Sequence, residues 1–147
     1  MKIRQLSLFL ENRPGQLRVP CKVLGDAGID ILTMSLADTQ QFGILRLVVK
    51  DWQRARQVLE AAGQVVNVTD LLALDVPDRA GGLAEVLETF EKTGLGVEYM
   101  YAFTLRERGK AATLLFRLED PDAAAVRLQA AGVALVPADE LFRRAGA

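Results

Sequence analysis

The 147-residue sequence contains no histidine and a single cysteine, Cys21. Histidine is the commonest general base near neutral pH and the commonest metal ligand, so its absence argues against a metal centre and most proton-transfer chemistry. One cysteine excludes an intrachain disulfide and indicates a reducing compartment. Without a histidine to activate it, Cys21 is predicted to be structural. We therefore expect no catalytic residue, no metal and no cofactor.

The sequence also lacks a basic excess and a long apolar run. Its 18 Lys and Arg are balanced by 19 Asp and Glu, whereas nucleic-acid binders carry a basic face that neutralises phosphates. No stretch approaches the ~20 apolar residues of a spanning helix, and Leu6–Leu10 is too short for the core of a signal peptide. These absences predict a cytoplasmic protein with neither a nucleic-acid nor a membrane partner.

What the sequence does contain is an internal repeat. Asn12–Leu17 (NRPGQL) is echoed by Asp78–Leu83 (DRAGGL) at an offset of 66 residues, and Gly28 maps on Gly94 at the same offset. A repeat this long indicates two copies of a small domain rather than a solenoid.

Both copies are predicted to contain the same elements. The first has strands at 2–10, Ile29–Ala37, Ile44–Lys50 and Val65–Val68, with helices at Gln16–Ala27 and after the N-cap Asp51. The second has strands at Leu71–Val76, Val97–Thr104, Ala111–Leu118 and Val133–Val136, helices from Leu83 and after Asp120, a turn at Arg106–Gly109 and a tail helix in Pro137–Ala145. This is the ferredoxin-like β-α-β-β-α-β order, so we expect the α+β class with domains over residues 1–69 and 70–147.

The strand-to-helix turn Asn12-Arg13-Pro14-Gly15-Gln16-Leu17 is the strongest candidate for a ligand site. Gly15 lets the backbone approach a ligand, the N–H groups that open the helix attract a carboxylate, and Asn12 can donate and accept hydrogen bonds. The alternative is an ordinary Pro-Gly turn with an Asn cap. The echo, Asp78-Arg79-Ala80-Gly81-Gly82-Leu83, favours binding and supplies a second, weaker candidate.

The turn Asn12–Leu17, followed by Gly28-Ile29-Asp30-Ile31, resembles the opening of an ACT domain. Phe42-Gly43-Ile44-Leu45-Arg46 and Glu98-Tyr99-Met100-Tyr101-Ala102-Phe103 are similar to stretches of stand-alone proteins with two such domains. The resemblance covers nearly the whole chain. It implies a non-enzymatic regulatory protein that binds a free amino acid or a related small molecule, forms a homodimer and acts on an unidentified metabolic enzyme or regulator.

The resemblance also implies where the ligand binds. The two copies would join side by side through their second strands, giving an eight-stranded antiparallel sheet with helices on one face. Each ligand would lie between the turn of one copy and the second strand of the other.

One implied pocket pairs Asn12–Leu17 with the strand that carries Glu98, Tyr99 and Tyr101, which could hold an ammonium group and a side chain. The tyrosines could equally be core or interface residues. The second pocket pairs Asp78–Leu83 with Asp30, an ammonium partner.

The sequence departs from the family pattern at three positions where polar residues occur in ligand-binding members. Gly96 stands at the counterpart of Asp30, and Leu10 and Val76 precede the two turns. These departures suggest that one of the two pockets is silent.

Two alternatives stay open. An interaction protein would dimerise through sheet edges, or through the tail residues Leu141 and Phe142, without a ligand. A small enzyme would use Asp30, Glu98 and the tyrosines for proton transfer, although no nucleophile–base pair accompanies them. Arg143 and Arg144 are predicted to face solvent or a second copy.

Overall fold

The computed structural model describes residues 1–103 and 111–147, which form two compact units. The N-terminal unit comprises residues 4–69, and the C-terminal unit comprises residues 1–3 and 70–147. The first six elements are β1 (Ile3–Glu11), α1 (Arg18–Asp26), β2 (Thr33–Thr39), β3 (Phe42–Val48), α2 (Trp52–Ala61) and β4 (Val66–Pro77). The others are α3 (Gly82–Lys92), β5 (Val97–Ala102), β6 (Ala111–Leu118), α4 (Pro121–Ala130), β7 (Leu135–Val136) and α5 (Ala138–Arg144).

The predicted α+β class with tandem ferredoxin-like copies is confirmed, but the described residues form seven strands instead of eight. The two strands predicted at Val65–Val68 and Leu71–Val76 are one continuous strand, β4. The residues between them, Thr69 and Asp70, contain neither proline nor glycine, so nothing in the sequence interrupts the extended backbone. The turn predicted at Arg106–Gly109 lies outside the described residues.

The N-terminal unit buries one face of its sheet beneath two helices. Strand β3 lies between β2 and β1, and the antiparallel register pairs Leu8 with Leu45 and Leu6 with Leu47. These four leucines pack with Leu24 of α1 and with Ala55 and Leu59 of α2 in one buried cluster. Because side chains alternate along a strand, the residues of β1 and β3 that lie between these leucines in sequence point to the opposite face of the sheet.

The C-terminal unit repeats this arrangement. Strand β6 lies between β4 and β5, and β7 pairs with β4. Leu72 and Leu74 of β4 pack with Phe90 of α3 and Leu128 of α4. The ring of Phe90 lies 5.1 Å from that of Phe116, at an interplanar angle of 60°.

The helix boundaries follow the predicted caps. The Asp51 carboxylate accepts from the backbone N–H of Arg54 at 3.1 Å, and Asp120 accepts from Ala123 at 3.0 Å. Gly28 follows the last turn of α1 with a φ of +69°, a conformation that favours glycine.

Strand β2 begins later than predicted, at Thr33 rather than Ile29. The N–H of Ile29 donates to the carbonyl of Leu24, so this segment completes the end of α1 instead of joining the sheet.

Helix α5 contradicts two predictions about the tail. Leu141 is fully buried, so it is not available as a contact between molecules. Arg144 does not simply face solvent, because its guanidinium lies 2.8 Å from Asp75 on β4 and 2.7 Å from Glu140. Asp75 pairs with Thr113 on the sheet face opposite α3 and α4, so α5 covers that face of the C-terminal unit.

The first residues of the chain belong to the C-terminal unit. The ammonium group of Lys2 lies 3.1 Å from a carboxylate oxygen of both Asp70 and Asp122. In the described residues, no helix has the length and apolar character needed to span a membrane.

Candidate functional site

The turn Asn12–Leu17 is held against the β2–β3 hairpin by Asn12. Its backbone N–H donates to the carbonyl of Gln41 at 2.9 Å, and its side-chain amide donates to the carbonyl of Gln40 at 3.3 Å. Gly15 has a φ of +86°, which turns the chain before α1 begins. Asn12 thus fixes the position of the turn.

Arg13 and Glu11 form an exposed ion pair at the end of β1. The backbone N–H of Arg13 also donates to the carbonyl of Glu11 at 2.8 Å, which keeps the two side chains together. The turn therefore presents one positive and one negative charge next to each other.

A cavity of about 180 Å³ opens beside this turn. Its lining consists of Leu10, Glu11, Asn12, Arg13, Leu17, Leu36 and Gly43. The leucines supply apolar walls, and Glu11 and Arg13 supply the charges. Its volume is below the ~300–1,000 Å³ of drug-sized pockets, so it suits a small ligand.

Strand β2 contributes a wall that the sequence did not reveal as part of the site. Leu36 is 51% exposed, although it lies on the same sheet face as its buried partner Leu45. A Cβ on Gly43 would approach Leu36 Cδ1 to 3.1 Å, so the absence of a side chain at Gly43 leaves room for Leu36. Only the strand register, which places Leu36 beside β3, could have identified this residue.

Helix α1 leaves backbone donors at its first turn. Leu17 is the N-cap residue, and no side chain caps it. The leading N–H groups of a helix have no intrahelical partner, and they favour an anion. Leu17 also lines the cavity.

The second turn, Asp78–Leu83, packs closely against the end of β4. The guanidinium of Arg79 donates to both carboxylate oxygens of Glu85 at 2.7 Å, and Gly81 has a φ of +83°. A Cβ on Gly82 would lie 2.1 Å from the carbonyl oxygen of Pro77, so the chain packs closely here. Asp78 is exposed and Leu83 is 37% exposed.

The remaining predicted contacts lie elsewhere in their units. Asp30 is exposed in the segment before β2. On β5, Glu98 pairs with Arg117 at 3.2 Å, and Tyr99 and Tyr101 are half-buried. The roles of these four residues in ligand binding stay predictions.

A second cavity, of about 400 Å³, lies in the C-terminal unit. The loop after α3, the start of β5 and the first turns of α4 enclose it, and Gly96 and Glu98 are among its lining residues. Arg127 at its margin donates to the carbonyl of Thr93 at 3.4 Å, which ties α4 to the end of α3. Two polar residues of its lining thus already have a structural role, because Asp120 caps α4 and Arg127 joins α4 to the end of α3.

In residues 1–103 and 111–147, no group of three His, Cys, Asp or Glu side chains is arranged to hold a metal ion. On the surface of α3, a hydrogen bond from Lys92 lowers the pKa of the Glu88 carboxyl.

Comparison with known proteins identifies a family and solved structures to which this chain is similar. The family described as an ACT domain pair matches residues 1–143. The protein BT0572 from Bacteroides thetaiotaomicron is 33% identical, with 97% of this chain and 96% of that chain covered and a TM-score of 0.87.

More distant structures share the fold alone. The regulatory subunit of aspartate kinase from Thermus thermophilus is 16% identical, with 89% of this chain and 93% of that chain covered and a TM-score of 0.59. The corresponding subunit from Thermus flavus is also 16% identical, with coverages of 90% and 92% and a TM-score of 0.62. No curated protein sequence matches the chain.

Proposed function

Because the chain belongs to the ACT domain pair family, we propose that it is a regulatory protein that binds a free amino acid in the cavity beside Asn12–Leu17. The observation that carries this proposal is the combination of apolar walls with two opposite charges at one small opening.

Each part of an amino acid has a matching group at this opening. The carboxylate would meet the first N–H groups of α1 and the guanidinium of Arg13. The ammonium group would replace the guanidinium of Arg13 as the partner of the Glu11 carboxylate. An apolar side chain would fill the space between Leu10, Leu17 and Leu36, which favours aliphatic amino acids over charged ones.

The decisive experiment is thermal unfolding of the full chain in the presence of each of the twenty amino acids at millimolar concentration. A ligand at ~100 times its Kd adds about 2.7 kcal/mol to the stability of the folded state. For a chain of this size that raises the midpoint by roughly 5–10 °C. We expect aliphatic amino acids to raise it most, and a flat panel would contradict the proposal.

A pair of variants on β2 connects any response to the cavity. Leu36→Glu puts a charge on the apolar wall, whereas Met34→Glu puts the same charge on the same face of the same strand, outside the lining. The two side chains are 51% and 42% exposed, so both variants are expected to fold. We expect Leu36→Glu alone to abolish the response, and equal responses would place the ligand elsewhere.

The predicted contacts on β5 are tested separately. Glu98→Gln removes the charge that pairs with Arg117 and leaves the cavity beside Asn12–Leu17 untouched. Weaker binding in this variant would add Glu98 to the site. Binding that stays unchanged would exclude the charge of Glu98 from the site.

We also propose that binding occurs without turnover. Incubation of the protein with the amino acid that raises the midpoint, followed by NMR of the mixture, is expected to leave the amino acid unchanged. Its conversion would favour the alternative of a small enzyme.

A further inference from the structure

The cavity beside Asn12–Leu17 has a buried floor and an exposed rim. Leu10 is 5% exposed and pairs with Gly43, which is also buried, in the register of β1 with β3. The charged residues of the lining, Glu11 and Arg13, are exposed to solvent. The lining therefore changes from an apolar floor to a charged rim.

Gly43 is a residue of the floor whose backbone does not require glycine. Its φ lies outside the positive region, so an L-residue could adopt the same conformation. Because side chains alternate along β3, a side chain at this position would point to the same sheet face as Leu45, which packs beneath α1 and α2. Its Cβ would lie 3.1 Å from Leu36 Cδ1. The missing side chain thus leaves a space that Leu36 borders.

We infer that Gly43 and Leu36 select the ligand by the size of its side chain, and that the ligand is a branched aliphatic amino acid. This inference rests on the proposed function. Burial of a charge is unfavourable, so the charged groups of the ligand stay at the rim and its side chain points to the floor. Gly43 then sets the depth that the side chain can reach, and Leu36 sets the width.

The volume of the cavity fits this class of ligand. An apolar cavity of about 150 Å³ holds one benzene molecule. The present cavity has about 180 Å³, and the charged groups of the ligand take part of that volume. The remainder suits a side chain of about three or four carbon atoms. Alanine would leave part of the space empty and lose dispersion contacts, whereas phenylalanine would have to displace Leu36.

Gly43→Ala tests the depth of the cavity. The added Cβ takes space at the floor and moves the end of Leu36 by a few tenths of an ångström. Leu36 is 51% exposed and can move, so the variant is expected to fold. One methylene in an apolar pocket changes affinity about 10–200-fold. We therefore expect the affinity for leucine to fall roughly tenfold or more and the affinity for alanine to change little, as measured by isothermal titration calorimetry.

Gly25→Ala is the matched control. It adds the same atom in the same unit, outside the lining, where the Cβ meets nothing within 4 Å. The ranking of leucine and alanine should be the same in this variant as in the wild type.

Leu36→Ala tests the width with the opposite change in volume. Truncation of the wall beside Gly43 widens the cavity, so the affinity for phenylalanine relative to leucine should rise roughly tenfold or more. This variant adds no atom to the unit, so its result is independent of how the backbone accepts alanine at Gly43. Thermal unfolding of each variant confirms that it folds.

The outcomes separate this inference from the proposed function. If the wild type binds no amino acid, both fail. If it binds leucine but the two lining variants leave the ranking of alanine, leucine and phenylalanine unchanged, the proposed function stands and the size selection by Gly43 and Leu36 is wrong. A wild type that prefers phenylalanine or alanine to leucine would also overturn the assignment to branched aliphatic amino acids.

Discussion

Arg144 of α5 and Asp75 of β4 are joined at two points, since one guanidinium nitrogen donates to both carboxylate oxygens at 2.9 and 2.8 Å. The hydroxyl of Thr113 donates to the same carboxylate at 2.7 Å. Asp75 thus receives hydrogen bonds from the sheet and from the tail helix, and it fastens α5 to the C-terminal unit.

Replacing Arg144 tests this fastening. Arg144→Met keeps most of the side-chain length but removes both hydrogen bonds to Asp75 and the one to Glu140. Both groups are about one-third exposed, so solvent screens the contact and the expected loss is roughly 1 kcal/mol. The unfolding midpoint should fall by about 2–4 °C. Arg143→Met is the control, because Arg143 is 74% exposed and pairs with Glu140. Equal losses in the two variants would contradict this role of Arg144.

Glu140 predicts a pH dependence of the same helix. Hydrogen bonds from Arg144, and then from Arg143, hold the pKa of Glu140 below its ordinary value of 4.5. A carboxyl whose pKa is lowered in the folded state adds stability above that ordinary value and loses it as the pH falls. We expect the difference in midpoint between wild type and Glu140→Gln to shrink in acid. A difference independent of pH would exclude the ion pairs as its cause.

Two glycines in helices are expected to respond oppositely to alanine. At Gly82 a Cβ would lie 2.1 Å from the carbonyl oxygen of Pro77, so Gly82→Ala forces the backbone apart and should destabilise by about 1–3 kcal/mol. At Gly25 in α1 no atom lies within 4 Å of the added Cβ, so Gly25→Ala should stabilise by about 0.4–1 kcal/mol. Denaturant unfolding measures both. If Gly82→Ala also stabilises the protein, the turn before α3 must relax to admit the added Cβ.

A comparison of Gly15→Ala with Gly63→Ala separates the effect of backbone strain from an effect on ligand binding. Gly15 and Gly63 have φ angles of +86° and +84°, and an added Cβ meets no atom within 4 Å at either. Alanine at each position should therefore cost a similar roughly 1–2 kcal/mol. Only Gly15→Ala alters the turn beside the cavity, so we expect it alone to weaken the response to amino acids. If Gly63→Ala weakens the response equally, the effect comes from lost stability.

Local patterns in the sequence identified the repeated elements. Asp51 and Asp120 predicted helix starts because a carboxylate accepts from the next turn, and Gly28 predicted a helix end because it adopts a positive φ. These features depend on neighbouring residues alone, so one sequence suffices to find them.

Features that depend on distant partners were missed or misjudged. Arg144 carries no local sign that Asp75, 69 residues earlier, will bind it. Leu36 shares its pattern with ordinary core residues, and only its position at the side of Gly43 makes it a cavity wall. The sequence therefore drew attention to one side of this cavity, Asn12–Leu17, but not to the wall that Leu36 supplies; that the cavity binds a ligand stays a prediction.

The contact of Lys2 with Asp70 and Asp122 has a practical consequence for dividing the molecule. A fragment of residues 70–147 would lack Lys2 and the buried Ile3. The carboxylates of Asp70 and Asp122 would then lose their cation, and the space that the Ile3 side chain fills would be empty. An exchange of one copy for another should therefore keep residues 1–3 together with residues 70–147, instead of dividing the chain where the sequence repeat begins.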